Sequence, residues 1–240
     1  MKSILTTVIV FLTISLYGQK TIDFPSKDGL TITADVYEAK ESSQFIILFH
    51  QAGWSRGEYL EIAPKLTVLG YHCLAVDQRS GGAVNEVKNK TKALAKKEGK
   101  QTEFVDAFQD IEAAVDYVKK TYKPEKIIIW GSSYSSALVL KYAGDHPDDI
   151  NAVVSFSPGE YFGKKNFITA SAANIKVPVF ITSAKNEKKS WSGIYDAIPS
   201  DKKQFFLPET KGNHGSRVLW ETFSDHKSYW KAVKGFLNTI

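Results

Sequence analysis

Cysteine is almost absent from this chain of 240 residues, and its single copy excludes an intramolecular disulfide. That residue, Cys73, stands in an apolar stretch, which predicts a buried and unreactive thiol. No two histidines have the spacing of metal ligands, so we predict no metal and no other cofactor. Internal repeats and interdomain linkers are missing as well, which favours one domain.

Long apolar runs are missing except near the N-terminus, where residues 4–16 are too few to span a bilayer comfortably. Lys2 precedes this run and polar sequence follows it, a pattern typical of a secretory signal peptide. We therefore assign residues 1–19 to a signal peptide, cleaved after Gly18 or Gln19, and residues 20–240 to the domain. This predicts export to the periplasm or the medium, with no stable membrane insertion after cleavage. An uncleaved amphipathic anchor is the alternative.

Charge of one sign is only in mild excess, with a net charge of +5 and a pI of about 9.0. The chain has no basic helix and no alternation of basic and aromatic residues, which argues against a nucleic-acid partner. Six lysines crowd the segment 87–101, which predicts a solvated loop or an exposed helix. A docking patch for acidic partners is the alternative there.

After an initial hairpin, apolar runs of strand length alternate with stretches of helical periodicity. This pattern predicts an α/β fold with a doubly wound, mostly parallel sheet of about eight strands flanked by helices. Only a short segment separates the strand ending near Phe156 from the one starting at Val179, so no large lid domain fits there. The predicted strands lie near 21–24, 30–37, 45–49, 71–76, 126–130, 152–156, 179–182 and 204–207, and the clearest helices near 59–69, 104–122, 135–142 and 226–237.

The segment 126–142 joins a buried strand directly to a helix through a serine-rich turn. A sharp strand-to-helix turn with serine at its tip is typical of a catalytic nucleophile. Such a turn brings together the residues two before and two after its tip, and Gly131 and Ser135 are small enough if Ser133 is the tip. The other serines would place Trp130 or Tyr134 at those positions, or lie too far into the helix. A serine-rich helix cap is the alternative.

Three further motifs stand at the ends of other predicted strands, in an order that resembles the α/β-hydrolases. They are His50-Gln51-Ala52-Gly53, Asp77-Gln78-Arg79-Ser80-Gly81-Gly82 and Gly212-Asn213-His214-Gly215. The resemblance covers nearly all of the chain after residue 19. In layout it is similar to the dienelactone-hydrolase-like proteins and to small carboxylesterases that have little or no lid.

The resemblance implies a role for each motif. Ser133 is the expected nucleophile and His214 the expected base, and the backbone N–H groups of Ala52 and Tyr134 would form the oxyanion hole. It also implies that His50 braces its loop and that the Asp77 loop is structural. Gln51 and Ser135 stand where glycine is usual in the family.

The acid of the triad is left open among three candidates. Asn186 occupies the position at which the family most often carries aspartate, and Glu187 comes one residue later. We favour Glu187, with Glu160, after the preceding strand, as the alternative acid and Asp196 as a more distant one. Both glutamates satisfy the chain order serine, acid, histidine.

These expectations predict a serine hydrolase that cleaves a carboxylic ester of a small molecule by two-step acyl transfer. Trp54 and Tyr161 lie on loops where pockets form in such sheets, so we expect them to bind an apolar or aromatic part of the substrate. One alternative is a catalytically silent binding or accessory protein with the same fold. Another is a peptidase or amidase that uses the same triad. The oligomeric state is left open.

Overall fold

The computed structural model describes residues 18–240 and is built on a large β-sheet. Its strands are β1 (Gln19–Pro25), β2 (Thr31–Tyr37), β3 (Gln44–Phe49), β4 (His72–Val76), β5 (Ala83–Val84), β6 (Val87–Lys88), β7 (Lys126–Ser132), β8 (Ala152–Phe156), β9 (Val179–Thr182) and β10 (Lys203–Phe206). The large sheet has eight strands in the order β1-β2-β4-β3-β7-β8-β9-β10, and β5 pairs with β6 in a small separate hairpin.

Pairing in the large sheet changes from antiparallel to parallel along its width. β1, β2 and β4 pair antiparallel, and every other neighbouring pair is parallel. The β1–β2 turn contains Gly29 with a φ of +81°, a conformation that glycine adopts without a steric penalty. The predicted fold class, a mostly parallel sheet of about eight strands, is therefore confirmed.

Helices cover both faces of this sheet. They are α1 (Ala63–Val68), α2 (Lys90–Lys97), α3 (Phe108–Tyr122), α4 (Tyr134–Asp145), α5 (Phe167–Ala172), α6 (Lys188–Ala197) and α7 (His226–Leu237), with short 3-10 helices at Arg56–Tyr59, Val105–Ala107, Lys185–Glu187 and Ser216–Leu219. Because side chains alternate along a strand, Ile47 of β3 enters the core under α3 to α6, and Ile46 enters the opposite core under α1 and α7.

Several predicted elements differ in extent from those observed. The helix expected at 59–69 covers only Ala63–Val68, preceded by a 3-10 turn. The lysine-rich segment 87–101 contains helix α2, which buries Thr91 and Ala95 and leaves Lys90, Lys96 and Lys97 exposed. Its first turn is capped by the Asn89 side chain at 2.7 Å from the Lys92 nitrogen. Cys73 is fully buried, and this burial raises the pKa of its thiol.

The predicted signal peptide falls mostly on residues 1–17, which lie outside the described residues. Of its last two residues, Gln19 is already the first residue of β1 and pairs with Tyr37. No helix within residues 18–240 is both long enough and apolar enough to cross a bilayer.

The loop after β4 is a structural tie, as its resemblance to the family implied. Asp77 is buried and accepts hydrogen bonds from the backbone nitrogens of Arg56 and Lys90, each at 2.8 Å. Arg79 is also buried and pairs with Asp110 at 2.8 Å and with Asp28 at 2.9 Å. The two side chains thereby join four separate segments of the chain beneath the carboxyl edge of the sheet.

Candidate active site

Ser133 occupies the tip of the turn between β7 and α4. Its backbone has a φ of 60° and a ψ of −122°, a combination that is costly for a residue other than glycine. The turn is as tight as the sequence predicted, because a Cβ on Gly131 would come within 2.5 Å of the Ser136 backbone. Such strain is typical of a side chain that is held in place for function.

Ser135 shows how a serine fits where the family usually has glycine. Its side chain is fully buried, and its hydroxyl lies 2.6 Å from Gln78 Oε1 and also contacts the His50 carbonyl oxygen. The hydroxyl is therefore within hydrogen-bond reach of two acceptors, which removes the cost of burying it. It also ties α4 to the loops after β3 and β4.

Ser133, His214 and Glu187 form a continuous line of hydrogen bonds. Ser133 Oγ lies 2.7 Å from His214 Nε2, and His214 Nδ1 lies 2.6 Å from Glu187 Oε1. An ionised Glu187 places the imidazole proton on Nδ1, which leaves Nε2 free to accept the hydroxyl proton of Ser133. The three residues that the sequence grouped are thus in direct contact, although they stand up to 81 positions apart.

The Glu187 carboxylate is held by more than the histidine. Its Oε2 accepts hydrogen bonds from Ser157 Oγ at 2.7 Å and from the Ala184 nitrogen at 3.1 Å. Burial disfavours the charged form of Glu187, but the hydrogen bonds from His214 and Ser157 outweigh it, so the pKa of Glu187 lies below its ordinary value. The carboxylate is therefore ionised at neutral pH.

Ser157 is a residue of this site that the sequence reasoning missed. It follows β8 with a φ of 59°, donates to Glu187 and accepts a hydrogen bond from the Gly215 nitrogen at 2.9 Å. It thereby joins the loop of the acid to the loop of His214. The Ser-Pro-Gly sequence after a buried strand is a turn signal, but nothing local shows what the hydroxyl contacts.

The other acid candidates lie elsewhere. Glu160 accepts from the Ile168 and Thr169 nitrogens, at 2.9 and 2.8 Å, and so caps the start of α5. Asp196 is exposed on α6, and Asn186 is also exposed. Of the candidate residues, the structure therefore brings Glu187 alone to His214.

The two expected oxyanion donors lie on different elements. Tyr134 begins α4, so its N–H is one of the helix-start amides that have no partner within the helix. Ala52 lies in the turn after β3, which is closed by a hydrogen bond from the Trp54 nitrogen to the Gln51 oxygen at 3.3 Å. Within residues 18–240, neither the Ala52 nor the Tyr134 nitrogen donates to a protein acceptor.

His50 braces these loops. It is fully buried, its Nδ1 lies 2.9 Å from the Gln51 oxygen, and its Nε2 lies 3.1 Å from the Gln78 nitrogen. Burial lowers the pKa of His50 to about 4, so the ring is neutral at pH 7. A neutral ring donates through Nδ1 and accepts through Nε2, which matches both contacts.

The two expected substrate-binding aromatics differ in their surroundings. Tyr161 is 41% exposed, and its hydroxyl donates to the Ser157 oxygen at 2.8 Å. Burial of its ring and the nearby Glu187 charge raise the pKa of Tyr161 to about 12, so it stays protonated. Trp54 instead stacks on Trp220 with ring centroids 5.3 Å apart. Tyr161 therefore borders the triad, whereas Trp54 packs against the segment that follows His214.

The described part of the chain, residues 18–240, contains no group of three or more His, Cys, Asp or Glu residues that could hold a metal ion. The site thus consists of a strained serine, a histidine, an ionised glutamate and two amides available as donors. Such a constellation can transfer an acyl group through a serine ester.

The family described as serine aminopeptidase, S33, matches residues 40–166, which is more than half of the chain. The chain belongs to this family. With it, the chain belongs to the α/β-hydrolase superfamily, as its motifs and sheet order predicted.

Individual relatives of this hydrolase share a quarter or less of its residues. A protein of Aquifex aeolicus, named provisionally as a carboxymethylenebutenolidase, is 25% identical over 169 residues, covering 68% of this chain and 69% of its own. The Pyrococcus furiosus esterase Pf2001 superposes with a TM-score of 0.70 at 20% identity, covering 93% of each chain. A dienelactone hydrolase from Anabaena variabilis also reaches 0.70, at 12% identity, covering 90% of this chain and 94% of its own. These two structures share the fold of this hydrolase.

Proposed function

We propose that this hydrolase cleaves a carboxylic ester of a small molecule by two-step acyl transfer. The observation that carries the proposal is the hydrogen-bonded line from Ser133 Oγ through His214 to Glu187, with distances of 2.7 and 2.6 Å. The names of relatives that act on esters or lactones support this substrate class.

In the first step, Ser133 Oγ attacks the ester carbonyl carbon while His214 Nε2 takes the hydroxyl proton. The carbonyl oxygen becomes an oxyanion, which the N–H groups of Ala52 and Tyr134 stabilise. The bond from carbon to the alcohol oxygen then breaks, and Nε2 returns its proton to that oxygen. The products are a free alcohol and an acyl ester of Ser133.

In the second step, water attacks the acyl carbon and passes one proton to His214 Nε2. Collapse of the second tetrahedral intermediate breaks the bond to Ser133 Oγ, which regains the proton and releases a carboxylic acid. Glu187 stays ionised throughout, because it is stabilised by hydrogen bonds from Ser157 and from the Ala184 nitrogen. Its charge stabilises the imidazolium that forms in each step.

Kinetics on p-nitrophenyl acetate test this proposal. Ser133→Ala is expected to lose hydrolysis by at least about 1000-fold, because the nucleophile is gone. Ser190→Ala, which changes an exposed serine on α6, is the matched control and is expected to keep wild-type rates. Wild-type activity in Ser133→Ala would contradict the assignment of the nucleophile.

A peptidase or amidase is the second candidate, because the matching family is described as serine aminopeptidase. The same residues would act, with an amine as the leaving group. Matched ester and anilide substrates with one acyl group separate the two activities. We expect the ester to be preferred, and preferential cleavage of aminoacyl anilides would reverse the assignment. No reaction with either would favour the silent binding protein.

The substrate pocket is proposed to include Tyr161 and Trp54. Tyr161 is partly exposed next to the triad, and its hydroxyl is fixed on the Ser157 oxygen. Tyr161→Ala is expected to raise KM for aromatic acyl esters about tenfold and to change KM for acetate little. Tyr161→Phe, which keeps the ring, is the matched control.

Export is also proposed, on the N-terminal apolar run alone. An intact-mass measurement of protein recovered outside the cytoplasm would test it. A mass lacking residues 1–18 or 1–19 is expected, and a full-length chain confined to the cytoplasm would contradict it.

A further inference from the structure

Glu58 is a carboxylate that takes no part in the bond-making steps of the proposed acyl transfer. It lies in the 3-10 turn Arg56–Tyr59 and is fully buried. Burial raises the pKa of Glu58 to about 7. Burying a carboxyl group is costly unless strong donors surround it, so its contacts are informative.

Two of these contacts reach residues next to the proposed catalytic groups. Glu58 Oε2 accepts a hydrogen bond from the Gln51 nitrogen at 2.7 Å, and Gln51 directly precedes Ala52. Glu58 Oε1 accepts from Ser132 Oγ at 2.7 Å, and Ser132 directly precedes Ser133. One carboxylate thus joins the oxyanion loop to the nucleophile turn.

The loop that carries His214 is joined to Glu58 through Ser132. Ser132 Oγ accepts a hydrogen bond from the Ser216 nitrogen at 2.9 Å, two residues after His214. The packing leaves no room for a side chain between them, since a Cβ on Gly215 would lie 2.7 Å from Ser132 Oγ. Trp220 Nε1 also donates to the Glu58 backbone oxygen at 3.0 Å.

We infer that Glu58 is a positioning residue for the proposed acyl transfer, which holds the Ala52 donor in register with Ser133 and His214. The inference rests on the proposed function. Glu58 does not touch the reacting atoms, but it fixes the backbone of the loops that do. Rate enhancement by an oxyanion hole depends on donors that are fixed before the reaction begins. A shift of about 1 Å in such a donor is costly for the rate.

The test compares kcat and KM for p-nitrophenyl acetate in Glu58→Ala, Glu58→Gln and wild type, below the unfolding midpoints of all three. Glu58→Ala leaves the Gln51 N–H and the Ser132 hydroxyl without their acceptor, and kcat is expected to fall about 100-fold with KM within about threefold. Glu58→Gln keeps the shape and one acceptor, and kcat is expected to fall about tenfold. Glu61→Gln changes a part-exposed carboxylate three residues later and is expected to match wild type.

A purely structural role predicts another result, namely a lower unfolding midpoint with an unchanged kcat per active site. Titration with a fluorophosphonate counts those sites. If Glu58→Ala does not fold, Glu58→Gln carries the test. Folded Glu58→Gln with wild-type kcat would overturn the inference and leave the proposed function intact. A wild-type protein that hydrolyses no ester would overturn both.

Ser132→Ala sharpens the test, because it removes the hydroxyl that links Glu58 to the nucleophile turn. If the two residues act together, the double variant Glu58→Gln, Ser132→Ala loses less kcat than the product of the single losses. Full multiplicativity would show that Glu58 does not act through Ser132.

Discussion

Two glutamates flank the candidate active site, and their surroundings give them opposite properties. Glu187 is part-buried, and hydrogen bonds from His214 and Ser157 hold its pKa below the ordinary value. Glu58 is fully buried, and burial outweighs its two donors, Ser132 and the Gln51 nitrogen, so its pKa rises to about 7. The comparison shows that the depth of burial and the number of donors together decide whether each carboxyl group is charged at neutral pH.

The largest expected effect is that of removing the Glu187 carboxylate. Glu187→Ala removes the group that orients and stabilises the His214 imidazolium, so kcat/KM for an ester is expected to fall about 1000- to 10,000-fold. Asn186→Ala alters the exposed neighbour and is expected to keep wild-type rates. A fall of less than about tenfold in Glu187→Ala would mean that another acid serves His214.

The next effect concerns stability and pH, where the two glutamates are predicted to have opposite signs. The pKa of Glu58 rises from 4.5 to about 7 on folding, so its contribution is present below pH 4.5 and is lost as the pH rises towards 7. The difference corresponds to roughly 3 kcal/mol. Glu187 has a lowered pKa, so its contribution is present above pH 4.5 and is lost as the pH falls through its folded value.

Urea unfolding of wild type and Glu58→Gln from pH 4 to 8 measures how the stability contributed by Glu58 changes with pH. The free energy of unfolding of wild type, relative to the variant, is expected to decrease across this range. A relative value that stays constant would show that the pKa of Glu58 is the same in the folded and unfolded states, which would contradict the prediction. Glu187→Gln under the same conditions is expected to show the opposite slope.

A smaller effect is expected when one hydrogen-bond donor to Glu187 is removed. Ser157→Ala removes the hydrogen bond to Oε2 and leaves the Gly215 nitrogen without its acceptor. We expect kcat/KM to fall about tenfold, because His214 and its acid lose part of their support. Ser155→Ala, on β8 two residues earlier, is the control. Equal losses in both variants would indicate a general packing defect.

The smallest effect concerns Glu160, the alternative acid. Its carboxylate caps α5 and does not contact His214. Glu160→Ala is expected to lower the free energy of unfolding by about 1 kcal/mol and to leave kcat/KM unchanged. A loss of activity comparable to that of Glu187→Ala would reverse the choice of acid.

Structural features that depend on local sterics and on periodicity could be predicted from the sequence. The residues flanking Ser133 had to be small for the turn to close, and α7 was predicted with the bounds His226–Leu237 that it has in the structure. The order of motifs grouped Ser133 with His214. The acid could only be narrowed to Glu187, Glu160 and Asp196, because a shift of one residue at Asn186 changes which side chain faces the histidine.

Glu58 and Ser157 could not be predicted, because their roles arise from contacts between distant segments. Glu58 meets Ser132 across 74 positions, and Ser157 meets Gly215 across 58. In the sequence, Glu58 is one charged residue in Arg-Gly-Glu-Tyr, a pattern as typical of a solvated turn as of a buried one. Only the packing of the 3-10 turn beneath the loops shows that its side chain is buried.

Peptide mapping after reaction with a fluorophosphonate probe tests most directly whether Ser133 is the nucleophile. We expect one adduct per chain, on Ser133, and none in Ser133→Ala. Labelling of Ser132, Ser135 or Ser136, or no labelling of the folded protein, would contradict this expectation.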